Sequence, residues 1–326
     1  MSIVSVDVDG QALTMTVLAQ FGVPVCELWD AYLDPRIIEQ FWGPPTFPAI
    51  FSRHDGCAGG RSHYTMTGPE GERHGGYWEW SAVDPGRSFE VRDGFADQAG
   101  VPNQELPSMR MIFSFDAQGE GSRVSTTTYF NSSEELAQLL GMGMDEGMRA
   151  AMGQIDGVLA NRSAFESGAS TQTQILADDM VRISRVVQAD LASVWRAHNE
   201  SSLVKQWMLG PEGWEMPICE VAEQVGDIYR YVWAQVDGPD RFGFTGTLLE
   251  MLAPYRAVTT EEMIDIEGPQ TRNELTLTPV AGGTLVSNVI TYPDQATRDA
   301  ILATGMTHGM EASYVRLESL LSTSDR

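Results

Sequence analysis

Asp93 and Glu262 stand at matched points of the chain, each a few residues beyond a proline turn. The turn is Asp84-Pro85-Gly86-Arg87 for the first and Ala253-Pro254-Tyr255-Arg256 for the second. A carboxylate facing an apolar cavity can act as a general base once burial raises its pKa. These two are the candidates for acid–base work; a solvated position on a cavity rim is the plainer reading. The five histidines, His54, His63, His74, His198 and His308, make no HxH or HExxH spacing, so no metal is expected. No GxSxG, no P-loop and no GxGxxG after a strand occurs, and no cofactor is expected. Spacing reveals no nucleophile–base pair.

Residues suited to holding an apolar molecule are more plentiful. Met144, Met148 and Met152 recur at helical spacing with Ala151, Ile155 and Leu159, as do Met306 and Met310 with Ser313, Leu317 and Leu320. Methionine is flexible and polarizable and adapts to varied apolar ligands; a packed core uses the same stripe. Gly143/Gly147 and Gly305/Gly309 lie beside these methionines. Glycine costs a helix about 1 kcal/mol against alanine, which implies either a closely packed strand or space for a ligand. On the strands, alternation puts Ser62, Tyr64 and Met66 on one face, with Tyr229, Tyr231 and Trp233 as later counterparts. Met111 shares a face with Phe113 and Phe115, and Thr126 with Val124 and Thr128. Asn273 and Asn288 replace Met111 and Thr126 in the later half. A buried amide needs partners, either the other amide or a ligand carbonyl. Trp42, Trp78 and Trp80 in the first half, and Trp207, Trp214 and Trp233 in the second, fit a flat conjugated ligand or fill a core.

These residues recur because the chain repeats itself. Gly143-Met144-Asp145-Glu146-Gly147-Met148 returns as Gly305-Met306-Thr307-His308-Gly309-Met310. Trp29 matches Trp195, Trp42 matches Trp207, Gly59 matches Gly226 and Tyr64 matches Tyr231. An ordered series of this length marks a duplication. Each half reads as a strand, two short helices, six further strand-like runs and one long helix, about 133–160 and 294–321. The fold class is α+β. Each domain should be a curved seven-stranded antiparallel sheet around its last helix, since that helix is the cover available for the apolar face. The domains are set at 1–162 and 179–326, with the Ser-, Thr- and Gln-rich stretch 163–178 as linker.

Bulk properties narrow the partners. The 326 residues carry a net charge of −24, which a nucleic-acid backbone or an anionic leaflet would repel. No run of apolar residues is long enough for membrane insertion. The N-terminus lacks a signal-peptide pattern, and Cys26, Cys57 and Cys219 form no CxxC pair, so a cytoplasmic location is expected.

Gly59-Gly60 before a Tyr/Met strand, the Asp84-Pro85-Gly86-Arg87 turn and the late Gly-Met-x-x-Gly-Met helix resemble one bacterial family. It is the group of domains named after the activator of the ninety-kilodalton heat-shock chaperone ATPase. These belong to the START-like, Bet v 1-like helix-grip (SRPBCC) superfamily, and the resemblance runs through the chain twice. It implies lipid carriers, polyketide aromatase/cyclases, chaperone activators or antibiotic self-resistance proteins. Fold does not fix function. The reading drawn here is binding of a small hydrophobic molecule, such as a polyketide or polyene of secondary metabolism or self-resistance. A cyclase or aromatase and a chaperone-activator-like interaction module are the alternatives. The candidate ligand contacts are Trp42, Tyr64, Met66, Trp78, Met111, Thr126, Met144, Met148 and Met152, then Trp207, Tyr231, Trp233, Asn273, Asn288, Met306 and Met310.

Overall fold

A computed structural model describes residues 2–161, 170–210 and 213–324. The chain divides into two compact units, Met1–Ser167 and Gly168–Arg326. The first part of the expected linker, 163–169, lies outside the described residues.

The first unit contains strands β1 (Ser2–Asp9), β2 (Thr14–Phe21), β3 (Ala49–His54), β4 (Arg61–Thr67), β5 (Arg73–Asp84), β6 (Ser88–Ala96), β7 (Ser108–Gln118) and β8 (Gly121–Tyr129). They form one antiparallel sheet in the order β1-β2-β8-β7-β6-β5-β4-β3. Helices α1 (Val25–Leu33) and α2 (Pro35–Ile38) bridge β2 and β3, and α3 (Ser133–Gly141), α4 (Met144–Met152) and α5 (Ile155–Ala160) follow β8. The second unit repeats the scheme with β9 (Gln172–Ala177), β10 (Met180–Val187), β11 (Trp214–Glu220), β12 (Ile228–Gln235), β13 (Arg241–Leu252), β14 (Arg256–Met263), β15 (Thr271–Val280) and β16 (Gly283–Thr291). The order β9-β10-β16-β15-β14-β13-β12-β11 is the same topology. Its helices are α6 (Leu191–Asn199), α7 (Ser201–Trp207), α8 (Gln295–Ala303) and α9 (Met306–Ser324). The Asp190 side chain caps α6 by accepting from the Ser193 N–H. No described helix is long and apolar enough to cross a membrane.

Three expectations need correction. Each sheet has eight strands, not seven, because β1 and β9 add a hairpin partner to β2 and β10. Strand β9 lies in the segment read as linker: an edge strand exposes one flank, and Gln172-Thr173-Gln174 is as polar as a loop. The terminal helix is not continuous. It breaks at Gly143 (φ +83°) and Gly305 (φ +79°), the first glycines of the repeated motif, in a conformation that only glycine adopts cheaply. At the second glycines, Gly147 and Gly309, a methyl side chain would meet no described atom within 4 Å, so no described strand packs closely on them.

The inner face of each sheet is read from the cross-strand pairs. In the first unit Met15, Val17 and Ala19 on β2, Val124, Thr126 and Thr128 on β8, and Phe115, Phe113 and Met111 on β7 all point inward. They meet Leu28 and Trp29 of α1 and Met148, Met152, Ile155 and Leu159 of the terminal helices in one continuous apolar core. In the second unit the described apolar residues form three separate clusters. There Arg185 on β10 takes the inward position of Ala19 on β2, and it pairs with Glu311 (2.5 Å) and Glu318 (2.7 Å) of α9. On the outer face Arg110 pairs with Glu90, and Arg272 with Glu274, so the matched arginines make surface ion pairs.

The helix break makes a paired test. Gly147→Ala adds a helix-favouring methyl in open space and should stabilise the first unit by up to about 1 kcal/mol. Gly143→Ala places a side chain at positive φ and should cost about 1 kcal/mol or more. Calorimetric melting of the full chain reads both; equal effects of the two substitutions would show that the break does not depend on glycine.

Candidate functional site

Asp93 is the one acid on the inner face of β6, opposite Trp78 on β5 and Met109 on β7. Its Oδ1 accepts from the Trp78 indole (2.8 Å) and the Tyr64 hydroxyl (3.1 Å). No lysine or arginine among the described residues pairs with it. Burial pushes the carboxyl up to about 7, against the hydrogen bonds from Trp78 and Tyr64, which favour the charged form. Aromatic rings enclose the group: Trp42 meets Trp78 edge-on at 4.6 Å, and Phe51 lies 5.1 Å from Tyr64. The Trp42 indole N–H faces the Tyr64 hydroxyl, and the Thr126 and Thr128 hydroxyls are buried with no hydrogen-bond partner among the described residues. Such a group costs about 1–3 kcal/mol when left unpaired.

Met111, Met148 and Met152 belong to this core, and Tyr64, Met66 and Met144 pack against it half-buried. The first-half residues named from sequence therefore converge on one interior. Sequence spacing missed a serine–histidine pair. His54 Nε2 donates to the Tyr32 carbonyl (2.9 Å), which leaves Nδ1 to accept from Ser62 Oγ (3.0 Å), and Trp80 donates to that oxygen (2.9 Å). His54 and Ser62 face each other across β3 and β4, a relation visible only in the pairing. Ser62 is fully buried and every member is satisfied, so the chain Trp80–Ser62–His54 is core structure.

In the second unit the acid is Glu261, not Glu262. Asp93 lies opposite Met109; Glu261 lies opposite Thr271, the counterpart of Met109. The error comes from the turn. Arg87 closes the first turn on Asp84, and Tyr255, not Arg256, closes the second on Leu252. Aligning the two prolines thus shifts the strand by one residue, which turns a side chain to the opposite face. Glu262 is exposed, and its carboxylate accepts from the Gln270 amide (3.4 Å). Glu261 is half-buried, accepts from the Tyr229 hydroxyl (3.2 Å) and is raised by burial, with hydrogen bonds from Asn273 and Tyr229 opposing the shift.

Other second-half candidates scatter. Trp207 donates to the Ala197 carbonyl (2.8 Å) and stacks on Tyr314, so it fills the helix side of the core. Met208, one residue later, stands where Trp42 does: each is the eighth residue after the N-cap of its helix, Glu200 and Asp34. Trp233 donates to the Met208 carbonyl (2.6 Å) and stacks on Phe242, with Tyr231 beside it. Met306 accepts from the Tyr292 hydroxyl, and Met310 packs between two clusters. Asn273 and Asn288 sit on the inner face, but no hydrogen bond joins them; Asn273 Oδ1 accepts from Thr271 (3.3 Å).

A family model, Activator of Hsp90 ATPase homolog 1-like protein, matches residues 22–160 and again 188–322. The chain belongs to this family, in tandem. Solved structures with similar domains include a protein from Mycobacterium smegmatis, 43% identical, covering 48% of this chain and 97% of its own with a TM-score of 0.46. A protein from Arthrobacter aurescens is 38% identical over 49% of this chain and 93% of its own, with a TM-score of 0.48. DynU16, a putative protein in the dynemicin biosynthetic locus, spans 96% of this chain and 99% of its own at 17% identity and a TM-score of 0.31. No curated protein matches the chain.

The two AHSA1-like domains keep their acid at the same place and change its surroundings. In the first, Trp78 donates to Asp93; in the second, Gly246 holds the position of Trp78 and Tyr229 leans over it to reach Glu261.

The raised Asp93 carboxyl has a sign that can be measured. Its folded pKa of about 7 lies above the ordinary 3.8, so the folded domain holds a proton that the unfolded chain releases. The stability contribution falls as pH rises from about 4 to about 7 and is flat above. Asp93→Asn keeps an acceptor for Trp78 and Tyr64 and removes this dependence. Relative to wild type, the variant should gain about 1–2 kcal/mol across that window, the figure allowing for partial exposure. Denaturant titrations at both ends of the window read the difference. A constant gap would mean that Asp93 is ionised throughout.

Proposed function

We propose that this tandem protein binds a small, mainly apolar molecule between a sheet and its terminal helices, with the inward carboxyl meeting a polar group of the ligand. The observation that carries this reading is the pair of inner-face acids, Asp93 and Glu261, at equivalent positions with no counter-ion among the described residues. A carboxyl in an apolar interior is expensive unless something is gained from it. Flat, conjugated products such as polyketides and polyenes have the apolar body that the surrounding indoles and methionines suit.

A second reading, a cyclase or aromatase, is favoured by one feature. A carboxyl poised near 7 is matched to proton transfer at neutral pH. Native mass spectrometry of the chain purified from its producing cells, with extraction of any retained molecule, tests binding. The expected result is one retained apolar ligand that rebinds after removal. Incubation with that molecule and analogues then separates the readings. Under the binding reading no new product forms, and Asp93→Asn and Glu261→Gln change affinity modestly. A product whose rate falls by about 10²–10⁴ in either variant would establish an enzyme instead.

A further inference from the structure

The two domains are not equally filled, and the difference lies at matched positions of the inner face. Cross-strand register aligns Phe89, Val91, Met111, Phe113 and Thr126 with Ala257, Thr259, Asn273, Leu275 and Asn288. In the first domain these five are at most 1% exposed. All five second-domain counterparts stay half-buried, so solvent reaches the middle of that inner face. Two large rings have gone from the same zone, Trp78 to Gly246 and Phe89 to Ala257. Aromatic mass has moved to the margin instead, where Tyr229, Tyr231, Trp233, Phe242 and Phe244 cluster on β12 and β13. The apolar residues left behind divide into three clusters, and Met208 and Met310 each border two of them.

We infer that the second domain holds the ligand and the first is a filled copy, and that the ligand is a hydroxylated, mainly apolar ring system seated over Ala257, Thr259, Asn273 and Asn288. This rests on the binding reading above and names its domain and ligand class. The aromatic margin supplies flat apolar walls. The Asn288 amide, without a hydrogen-bond partner among the described residues, and the Glu261 carboxyl, with Tyr229 and Asn273 beside it, offer both donors and acceptors. A hydroxyl group, donor and acceptor at once, satisfies either. The unpaired Thr126 and Thr128 hydroxyls of the first domain, by contrast, lie at 0% exposure with no room beside them for a ligand ring.

The test uses the full chain with 13C-methyl methionine and two matched probes, 2-naphthol and naphthalene. 2-Naphthol should shift the methyl signals of Met208, Met306 and Met310 and leave those of Met111, Met148 and Met152 in place. Ala257→Phe, which restores the first domain's ring, should weaken binding about tenfold or more. Asn288→Val should weaken 2-naphthol about tenfold and leave naphthalene unchanged, because only the hydroxyl loses a partner. Melting of each variant identifies loss of fold, and the wild-type methyl map stands without any variant. Shifts confined to Met111, Met148 and Met152, or naphthalene binding as tightly as 2-naphthol, overturn this inference and leave the binding reading intact. No shift with either probe counts against both.

Discussion

An eight-stranded antiparallel sheet presents one apolar face, and that face must be kept from water. In each copy the cover is a pair of short helices after the second strand and a set of helices after the eighth. A helix is narrower than the sheet it covers, so the remaining area must be filled by side chains from the sheet itself or left for something else. The functional questions about this protein follow from how each copy meets that need.

The first copy fills the space with rings. Phe89 stacks on Phe113 at 4.5 Å, Trp80 lies 4.8 Å from Phe89, and Trp78 closes the row beneath Trp42. Aromatic pairs of this kind contribute about 0.5–1.5 kcal/mol each beyond the area they bury. The second copy keeps the strands and their register but loses these rings, and it ties its cover down by charge. Arg185 reaches from β10 to Glu311 and Glu318, and Thr171 adds two hydrogen bonds to Glu311. Packing holds the first cover, and in the second two ion pairs of Arg185 join the apolar contacts of Tyr314, Leu317 and Leu321.

Much of this was legible in the sequence, and the failures have physical causes. The duplication showed because Gly143-Met144 and Gly305-Met306 mark the same event in both copies, a left-handed residue opening a helix. The alternation of Met111, Phe113 and Phe115 was enough to place an inner face. Strand β9 was hidden because an edge strand can be polar on both sides. Glu261 was missed because period-two structure turns a one-residue alignment error into the wrong face, and the turn after Leu252 supplied that error. Trp207 misled in the same way, since composition cannot tell which of two adjacent residues, Trp207 or Met208, looks into the sheet. The His54–Ser62 contact depends on strand pairing, which carries no local signal.

The ion pairs of Arg185 have a consequence for the whole chain. Burial raises the Glu311 carboxyl, but the hydrogen bonds from Arg185 and Thr171 outweigh it and hold the group below its ordinary value. Its contribution to the second copy is therefore present at neutral pH and is lost as acid protonates it. Asp93 acts in the other direction in the first copy. The same fold therefore carries titrating groups of both signs: burial makes Asp93 and, in the second copy, Glu261 hold a proton more tightly, and Arg185 makes Glu311 release one more readily. Mild acid thus favours the buried carboxyl contacts of both copies, and stronger acid removes the ion pair that ties Arg185 to Glu311.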